Sequence, residues 1–467
     1  MQRSDLKILW PFLCFYILLT FFVLHNSFFW DTIQLGSKQA HWFHDHNFKF
    51  FFLPEIIDSG HPPSFGIYLA ICWKFFGKSL PVSHLAMLPF LLGIVIQVYL
   101  LLKKYIQPQF IILTLIVLLA DPTIMSQSIL VSPDIVFIFF FLLSLNAILA
   151  DRTIILSLAL IGLGMISMRG MMHIAVLFVL DFILHIVFTK RYRIKNLMHL
   201  SIPYFPAAML VGGWLFLHYK ETGWIGYHEN SPWYDCFRPV TLPGFFKNLF
   251  ILAWRLIDFG RVFIWLAAIP VLYITIKKKG IDAGTKTLLL FFIVPLLIVT
   301  PNLLIHKNLL AHRYIVVLYL TFALLILYQI QRTFPQYFKK IALLLLIGLL
   351  TGNFWVYGDT IAKGWDSTLG HYPYYQLRKE MIAYIEKEGL DKSSVGTDFP
   401  NNLNVRYTDL STQDWSFANK DLKANSYVFY SNVFNNFSDE ELEELKSWKV
   451  MKEITSPTVK VILYKKP

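Results

Sequence analysis

Apolar runs of about twenty residues recur from Ile8 to Tyr357, and short polar or basic stretches separate them. A helix needs about 20 apolar residues to cross the hydrocarbon core of a bilayer. The runs therefore predict a polytopic α-helical membrane protein with about eleven spans. Their approximate positions are 8–29, 84–102, 108–129, 132–150, 153–168, 171–189, 199–217, 257–276, 284–304, 313–331 and 340–357.

Short basic clusters between the runs predict the orientation of the spans. Lys and Arg are enriched in cytoplasmic loops, so we assign every cluster to the cytoplasm, which places the N-terminus inside and the C-terminus outside. The stretch Ser64–Phe76 is apolar but too short for a span, and it predicts an interfacial or re-entrant helix within a first outer loop over residues 30–83. The clusters are Lys103-Lys104, Arg152, Lys190–Arg193, Lys277–Lys279 and Lys339-Lys340.

The last 110 residues have a different pattern. Helical periodicity at 372–388 and 438–446 alternates with strand-like runs at 394–397, 427–430 and 459–464, which predicts a small extracytoplasmic α/β domain. The stretch 358–370 is interpreted as a linker. We therefore divide the chain into a transmembrane domain, 1–357, and a soluble domain, 358–467.

Composition supports this division into a membrane part and a soluble part, and it argues against a wholly soluble protein and against a nucleic-acid-binding protein. The chain is 56% hydrophobic with a mean hydropathy of +0.52, far above a soluble protein. The formal charge of +12 lies largely in the clusters between apolar runs, so topology accounts for it and nucleic acid is not an expected partner. The three cysteines give no disulfide framework, and the sequence has no Gly-rich phosphate loop, nucleophile elbow or HExxH motif.

The predicted topology brings several polar residues to one outer face: Asp31, His61, Asp134, Arg169 and Arg313. A carboxylate in hydrocarbon costs several kcal/mol, so a polar cavity is the economical place for one. Each residue also has a simpler interpretation. The aspartates can cap a loop or face a helix dipole, and an arginine at a span end can anchor in headgroups.

Together these residues suit transfer of a sugar from a phosphate carrier. Such a reaction needs a general base near the acceptor and cations for the leaving phosphate. Asp31 is the candidate base, and guanidinium groups bind phosphate oxygens bidentately, which suits Arg169 and Arg313. Asp121, before Pro122, is an alternative to Asp134 as the second carboxylate, although Asp-Pro is also an ordinary turn signal.

A second group of residues suits a divalent metal. His41, His44 and Asp45 lie within six residues of each other, and imidazole with carboxylate binds zinc or manganese. Polar and aromatic residues on an interfacial helix explain the same run. A metal ion is therefore a possible cofactor and not a required one.

The short motifs resemble those of GT-C class membrane glycosyltransferases, namely the bacterial relatives of protein O-mannosyltransferases and lipid A aminoarabinose transferases. The resemblance extends over about the first 360 residues. The motifs are Asp31 after the first helix, Gly60-His61-Pro62-Pro63, Pro133-Asp134, Met168-Arg169-Gly170 and Arg313-Tyr314.

The resemblance implies a function and roles for these residues. Asp31 matches the catalytic aspartate and Asp134 the second acidic position, while His61, Arg169 and Arg313 would contact the donor phosphate. The donor would be a polyprenyl-phosphate sugar, either a hexose or a pentose, transferred with inversion in the bacterial inner membrane. The acceptor would be an extracytoplasmic protein, lipid A or a cell-surface glycan. The chain departs from the family at Thr32, usually acidic, and at His61, lysine in some members.

Two other classes remain open at this point. A transporter or flippase would carry charges or broken helices at mid-membrane, often in repeated halves. A lipid-linked oligosaccharide ligase or polymerase would share the donor but carry its key arginines in long outer loops. The predicted outer loop 218–247 contains a single arginine, Arg238, which argues against this class.

Overall fold

The computed structural model describes residues 3–231 and 233–467, and helices dominate it up to residue 351. The helices in this part are α1 Arg3–Phe22, α2 Gln39–Asp45, α3 Ser64–Phe76, α4 Leu80–Leu85, α5 Leu88–Tyr105, α6 Ile111–Leu119, α7 Pro122–Ser128, α8 Pro133–Ile148, α9 Thr153–Ile166, α10 Met168–Phe182, α11 Ile194–Ser201, α12 Phe205–Thr222, α13 Leu242–Ile257, α14 Val262–Lys278, α15 Ala283–Leu304, α16 Val316–Thr333 and α17 Phe338–Thr351.

The polytopic helical class predicted from the sequence is confirmed, and the chain is an integral membrane protein. In the part of the chain that the structure describes, seven helical segments are long and apolar enough to cross a bilayer, or nine if each of two bent pairs is one span. The two other predicted spans correspond to α8 and α9, which are apolar but only 16 and 14 residues long. The predicted number of eleven therefore exceeds the structural number by two.

Both bent pairs break beside a buried aspartate. α6 and α7 meet at 71° around Asp121, where Pro122 cannot donate a helical hydrogen bond and the Asp121 carboxylate caps the Thr123 amide at 2.9 Å. α13 and α14 meet at 86° around Asp258. There the chain turns through Gly260 at φ +81°, and a Cβ on this residue would lie 2.1 Å from a backbone oxygen of α17.

The C-terminal domain is a small α/β unit, as predicted. Its sheet has the order β2-β1-β3-β5-β4. Strand β1 is parallel to β2 and β3, and strand β5 is antiparallel to β3 and β4. The strand β4 was not predicted, since most of its side chains are exposed. The elements are α18 Tyr374–Lys387, β1 Val395–Thr397, α19 Val405–Thr408, β2 Ala418–Asn419, β3 Tyr427–Ser431, α20 Asp439–Leu445, β4 Lys449–Thr455 and β5 Lys460–Lys465.

The second half of the stretch interpreted as a linker, residues 363–370, is largely buried, which corrects that interpretation there. Residues 365–367 and 369–371 form two short 3-10 turns whose side chains Trp365, Asp366 and His371 are at most 4% exposed. The carbonyl of Asp366 accepts hydrogen bonds from Ser126 Oγ at 2.7 Å and Gln127 Nε2 at 2.8 Å, both on α7. These bonds satisfy a backbone group that burial removes from water, so the segment is fixed to the bundle.

The C-terminal domain also packs on the segment that follows α1. The amide of Phe28 donates to the carbonyl of Thr408 at 2.8 Å, and Ser37 Oγ donates to the carbonyl of Tyr407 at 2.7 Å. The Phe29 ring stacks on His371 with a centroid separation of 4.6 Å. The domain therefore covers the end of the bundle at which Asp31 lies.

Candidate functional site

A cavity of about 340 Å³ opens at the domain-covered end of the bundle. Its wall is mainly apolar, with contributions from α3, α8, α10, α15 and the loop before α13. The polar side chains in this wall include those of Gln39, His61, Asp134, Arg169 and Arg313. An apolar pocket with a few convergent polar groups is the usual form of a ligand site.

Two arginines and three aspartates form one charged cluster beside this cavity. We use "the charged cluster" for Asp31, Asp134, Arg169, Arg313 and Asp366. Arg313 donates through Nη2 to Asp31 and through Nη1 to Asp366, and Arg169 donates through Nη2 to Asp134. Arg169 Nη1 also donates to the Arg313 carbonyl at 2.8 Å. Pairing of this kind makes burial of five ionisable groups tolerable.

A tight turn sets the position of Asp31. The preceding residue, Trp30, adopts φ +53°, which reverses the chain after α1. The Thr32 hydroxyl donates to the Phe29 carbonyl at 2.7 Å and lies 2.9 Å from the Phe29 amide, from which it accepts. Thr32, one of the two departures from the motifs that the sequence resembles, therefore closes the turn that presents the Asp31 carboxylate.

Helix starts set the positions of Asp134 and Arg169. Ser132 caps α8 by accepting from the Asp134 amide at 3.1 Å, and Ser167 caps α10 by accepting from the Gly170 amide at 3.1 Å. A Cβ on Gly170 would lie 1.8 Å from the Leu163 carbonyl oxygen, so only glycine permits this approach of α9 to α10. Arg169 is thereby held against the neighbouring helix.

Both arginines of the charged cluster retain an unused donor. Arg169 Nε and Arg313 Nε are buried and have no hydrogen-bond partner among the described residues. Arg313 Nε lies 3.7 Å from Asp134 Oδ2, within ion-pair range but too far for a hydrogen bond. Each unsatisfied buried donor costs free energy.

His61 also lines the cavity and lies next to the start of α10. Its Nδ1 accepts from the Met168 amide at 3.4 Å. Burial lowers the pKa of His61 to about 4, and Arg169 acts in the same direction. The imidazole is therefore neutral near pH 7 and supplies hydrogen bonding rather than charge.

Asp366 is the member of the charged cluster that the sequence did not predict. It lies in the stretch interpreted as a linker, where no periodicity marks a structural element. Burial raises the pKa of Asp366, Arg313 opposes that shift, and Asp31 reinforces it. The one sequence signal was local, since Trp365 directly before it is a large apolar residue in a stretch otherwise typical of a linker.

The residues considered for a metal are not arranged as ligands around one point. His41 is buried between the rings of Trp73 and Tyr407, with Nδ1 2.9 Å from the Ser37 carbonyl. No group of three or more His, Cys, Asp or Glu side chains suited to a metal occurs among residues 3–231 and 233–467. His44 contacts Asp45 at 3.1 Å, and Asp45 also pairs with two cations, Lys78 and Arg406.

Asp121, the alternative second carboxylate, lies outside the charged cluster. Both of its oxygens accept from Arg261, each at 2.7 Å, and the Arg261 guanidinium lies 3.6 Å from the ring centroid of Tyr319. Arg261 Nη2 also donates to Thr123 Oγ1 at 2.8 Å. Asp121 therefore joins α7 to α14, and none of this network lines the cavity described above.

The fold is the polytopic helical fold with a small C-terminal α/β domain that the sequence predicted. Among solved structures the chain is similar to that of ArnT from Cupriavidus metallidurans bound to undecaprenyl phosphate, with a TM-score of 0.54 and 11% identity over 98% of each chain. At this identity the likeness concerns the fold. No family model matches the sequence, and no curated protein matches it either.

Proposed function

We propose that this chain is a membrane glycosyltransferase that moves a sugar from a polyprenyl-phosphate carrier to an extracytoplasmic acceptor, with inversion. The observation that carries the proposal is the mainly apolar cavity with the two arginines Arg169 and Arg313 in its wall. Guanidinium groups form strong, charge-assisted hydrogen bonds with phosphate oxygens. The solved structure of similar fold holds undecaprenyl phosphate, which supports a carrier of this chemistry.

The donor phosphate would lie against the two arginines. Charge develops on the leaving phosphate as the bond to the anomeric carbon breaks, and fixed cations in a water-poor site stabilise that charge without reorganising. His61 is neutral, so it adds a hydrogen bond at most. The apolar wall of the cavity suits the first units of a polyprenyl chain.

Asp31 is the proposed general base; it does not line the cavity itself, but it accepts a hydrogen bond from Arg313, which does. Its carboxylate accepts a proton from the acceptor hydroxyl or amine while the acceptor atom attacks the anomeric carbon. The electron pair of the breaking bond goes to the phosphate oxygen, which leaves on the face opposite to attack. Asp134 orients Arg169 through their ion pair, so it acts on the phosphate side of the reaction.

The site would face the outside of a bacterial inner membrane, with the N-terminus in the cytoplasm. The positive-inside pattern supports this orientation. The C-terminal domain would then lie outside, over the site. Protein, lipid A and cell-surface glycan are the acceptor classes consistent with that location.

A transporter is the second candidate, because two spans are broken. The breaks lie at Asp121 and Asp258, and broken helices often form ion or substrate sites. Here the two carboxylates pair internally, Asp121 with Arg261 and Asp258 with His312 at 3.0 Å. Neither aspartate lines the large cavity, which favours the transferase.

The test compares glycolipids and glycoproteins of the native host by mass spectrometry, with wild-type protein and with Asp31→Asn at equal expression. Loss of a general base lowers rates about 10²–10⁴-fold, so we expect one acceptor to lose a sugar mass while the polyprenyl-phosphate donor accumulates. Asp359→Asn is the matched control, because this exposed carboxylate pairs with Lys460 and belongs neither to the charged cluster nor to the cavity wall. Unchanged glycans with Asp31→Asn would refute the assignment and favour a transporter.

A further inference from the structure

Asp366 reaches the charged cluster from the C-terminal side of the chain. Its carboxylate accepts from Arg313 Nη1, while Asp31 accepts from Nη2 of the same guanidinium. Neither Asp366 nor Asp31 lines the cavity, but the Asp31 side chain is 18% exposed and the Asp366 side chain only 6%. Asp366 is therefore the less accessible carboxylate of the two, and it acts through Arg313.

The charges of the cluster are not balanced. Three carboxylates, Asp31, Asp134 and Asp366, share two guanidinium groups, those of Arg169 and Arg313. If Arg313 paired with Asp31 alone, both would be neutralised in one tight pair. Since Asp366 holds the other terminal nitrogen, Arg313 divides its charge between two carboxylates.

We propose that Asp366 is a positioning residue that shares Arg313 with Asp31 and so keeps the Asp31 carboxylate available as a base. The proposal rests on the proposed glycosyl transfer. Asp366 also holds Arg313 through the terminal nitrogen that Asp31 does not use. Arg313 thus keeps its position when Asp31 exchanges its bond with the guanidinium for one with the acceptor.

The position of Asp366 does not depend on its charge. Its carbonyl accepts from Ser126 and Gln127 on α7, and the neighbouring Ser367 carbonyl accepts from Thr123 Oγ1 at 3.3 Å. These bonds remain in Asp366→Asn, which has the same size and keeps an oxygen acceptor for Arg313. The variant therefore removes the negative charge and leaves the backbone anchored.

Loss of the Asp366 charge should affect two measurable quantities differently: the affinity for a phosphate anion should not fall, whereas the rate of sugar transfer should fall. Removing a carboxylate makes the cluster more positive, so the affinity for a phosphate anion is unchanged or greater. Arg313 then pairs more fully with Asp31, so transfer slows; a small misplacement of a reacting group can cost up to about 100-fold. We expect Asp366→Asn to lower the initial rate about tenfold. A purely structural defect would weaken binding and transfer together.

The experiment measures both quantities on the full chain. The dissociation constant for undecaprenyl phosphate is measured with purified protein in lipid nanodiscs, and the initial rate of sugar transfer is measured in the host after induction. Asp359→Asn, an exposed carboxylate of the same connecting segment, is the matched control. The same substitution at Asp366 is repeated in an Arg313→Lys background, because a lysine has no second planar nitrogen to share.

The proposal is supported if Asp366→Asn slows transfer about tenfold without raising the dissociation constant, and if the effect falls below about twofold with Arg313→Lys. A wild-type rate in Asp366→Asn overturns it while leaving the transferase intact. Equal losses of rate and affinity in both backgrounds also overturn it, since Asp366 would then be structural. If the wild type transfers no sugar, the proposed function fails and the base-sharing role of Asp366 is overturned with it. The dissociation constants for undecaprenyl phosphate in the single and double variants then still show whether Asp366 and Arg313 are energetically coupled.

Discussion

Asp121→Asn should destabilise the protein strongly and leave the chemistry of the folded molecules intact. Asp121 and Arg261 are 5% and 2% exposed, and two contacts of 2.7 Å join them. Breaking a buried ion pair by removing one charge costs about 3–5 kcal/mol, because the other charge stays buried without compensation. Asn retains one oxygen for Arg261, so we expect about 3 kcal/mol, the lower end of that range.

The assay is a denaturation titration of purified protein in mixed micelles, followed by the host transfer assay at equal levels of folded protein. A second variant, Asp121→Asn with Arg261→Met, removes both charges and should recover part of the loss, since an apolar replacement of a buried pair is often neutral. Two results would refute the reasoning. One is wild-type stability of the single variant with normal transfer, which would show that the ion pair does not stabilise the fold. The other is wild-type stability with lost transfer, which would place Asp121 in the reaction.

Three further outcomes follow from the structure. Gly60 adopts φ +69°, and a Cβ there would lie 1.9 Å from the Gly226 carbonyl oxygen, so Gly60→Ala should cost about 1–3 kcal/mol in the same titration. Burial lowers the pKa of Lys363 from 10.5 to about 8. Between those two pH values the unfolded chain therefore binds more protons than the folded chain, so the free energy of unfolding rises with pH from about 8 to about 10.5. Lys363→Met should flatten that rise when the titration is repeated across a pH series. Arg406→Ala, which breaks an exposed pair with Asp45, should change unfolding by less than about 1 kcal/mol.

The sequence was sufficient to predict that four of the five residues of the charged cluster meet, because topology alone constrains them. Asp31, Asp134, Arg169 and Arg313 each lie at a span end, and the positive-inside pattern assigns those ends to one face. The structure brings all four into contact. Hydrophobic runs also predicted most spans, since apolar length is a direct physical requirement of the bilayer.

What the sequence did not predict depends on contacts between distant segments. Arg261 lies beyond the end of α13 at Ile257, and it pairs with Asp121 across the bundle. The helix break depends on close backbone approach to α17, which no local pattern records. Asp366 was missed for the same reason, because its partner is 53 residues away.

The adjacent residues His312 and Arg313 connect these observations. Neighbours in a 3-10 turn point in directions about 120° apart, so each can meet a different partner. His312 Nε2 lies 3.0 Å from Asp258 at the broken span, while Arg313 bonds Asp31 and Asp366. Carboxylates from three separate segments therefore fix the start of α16. A displacement of the C-terminal segment would move Arg313 directly, so the geometry of the proposed phosphate site depends on a domain that contributes no residue to the cavity wall.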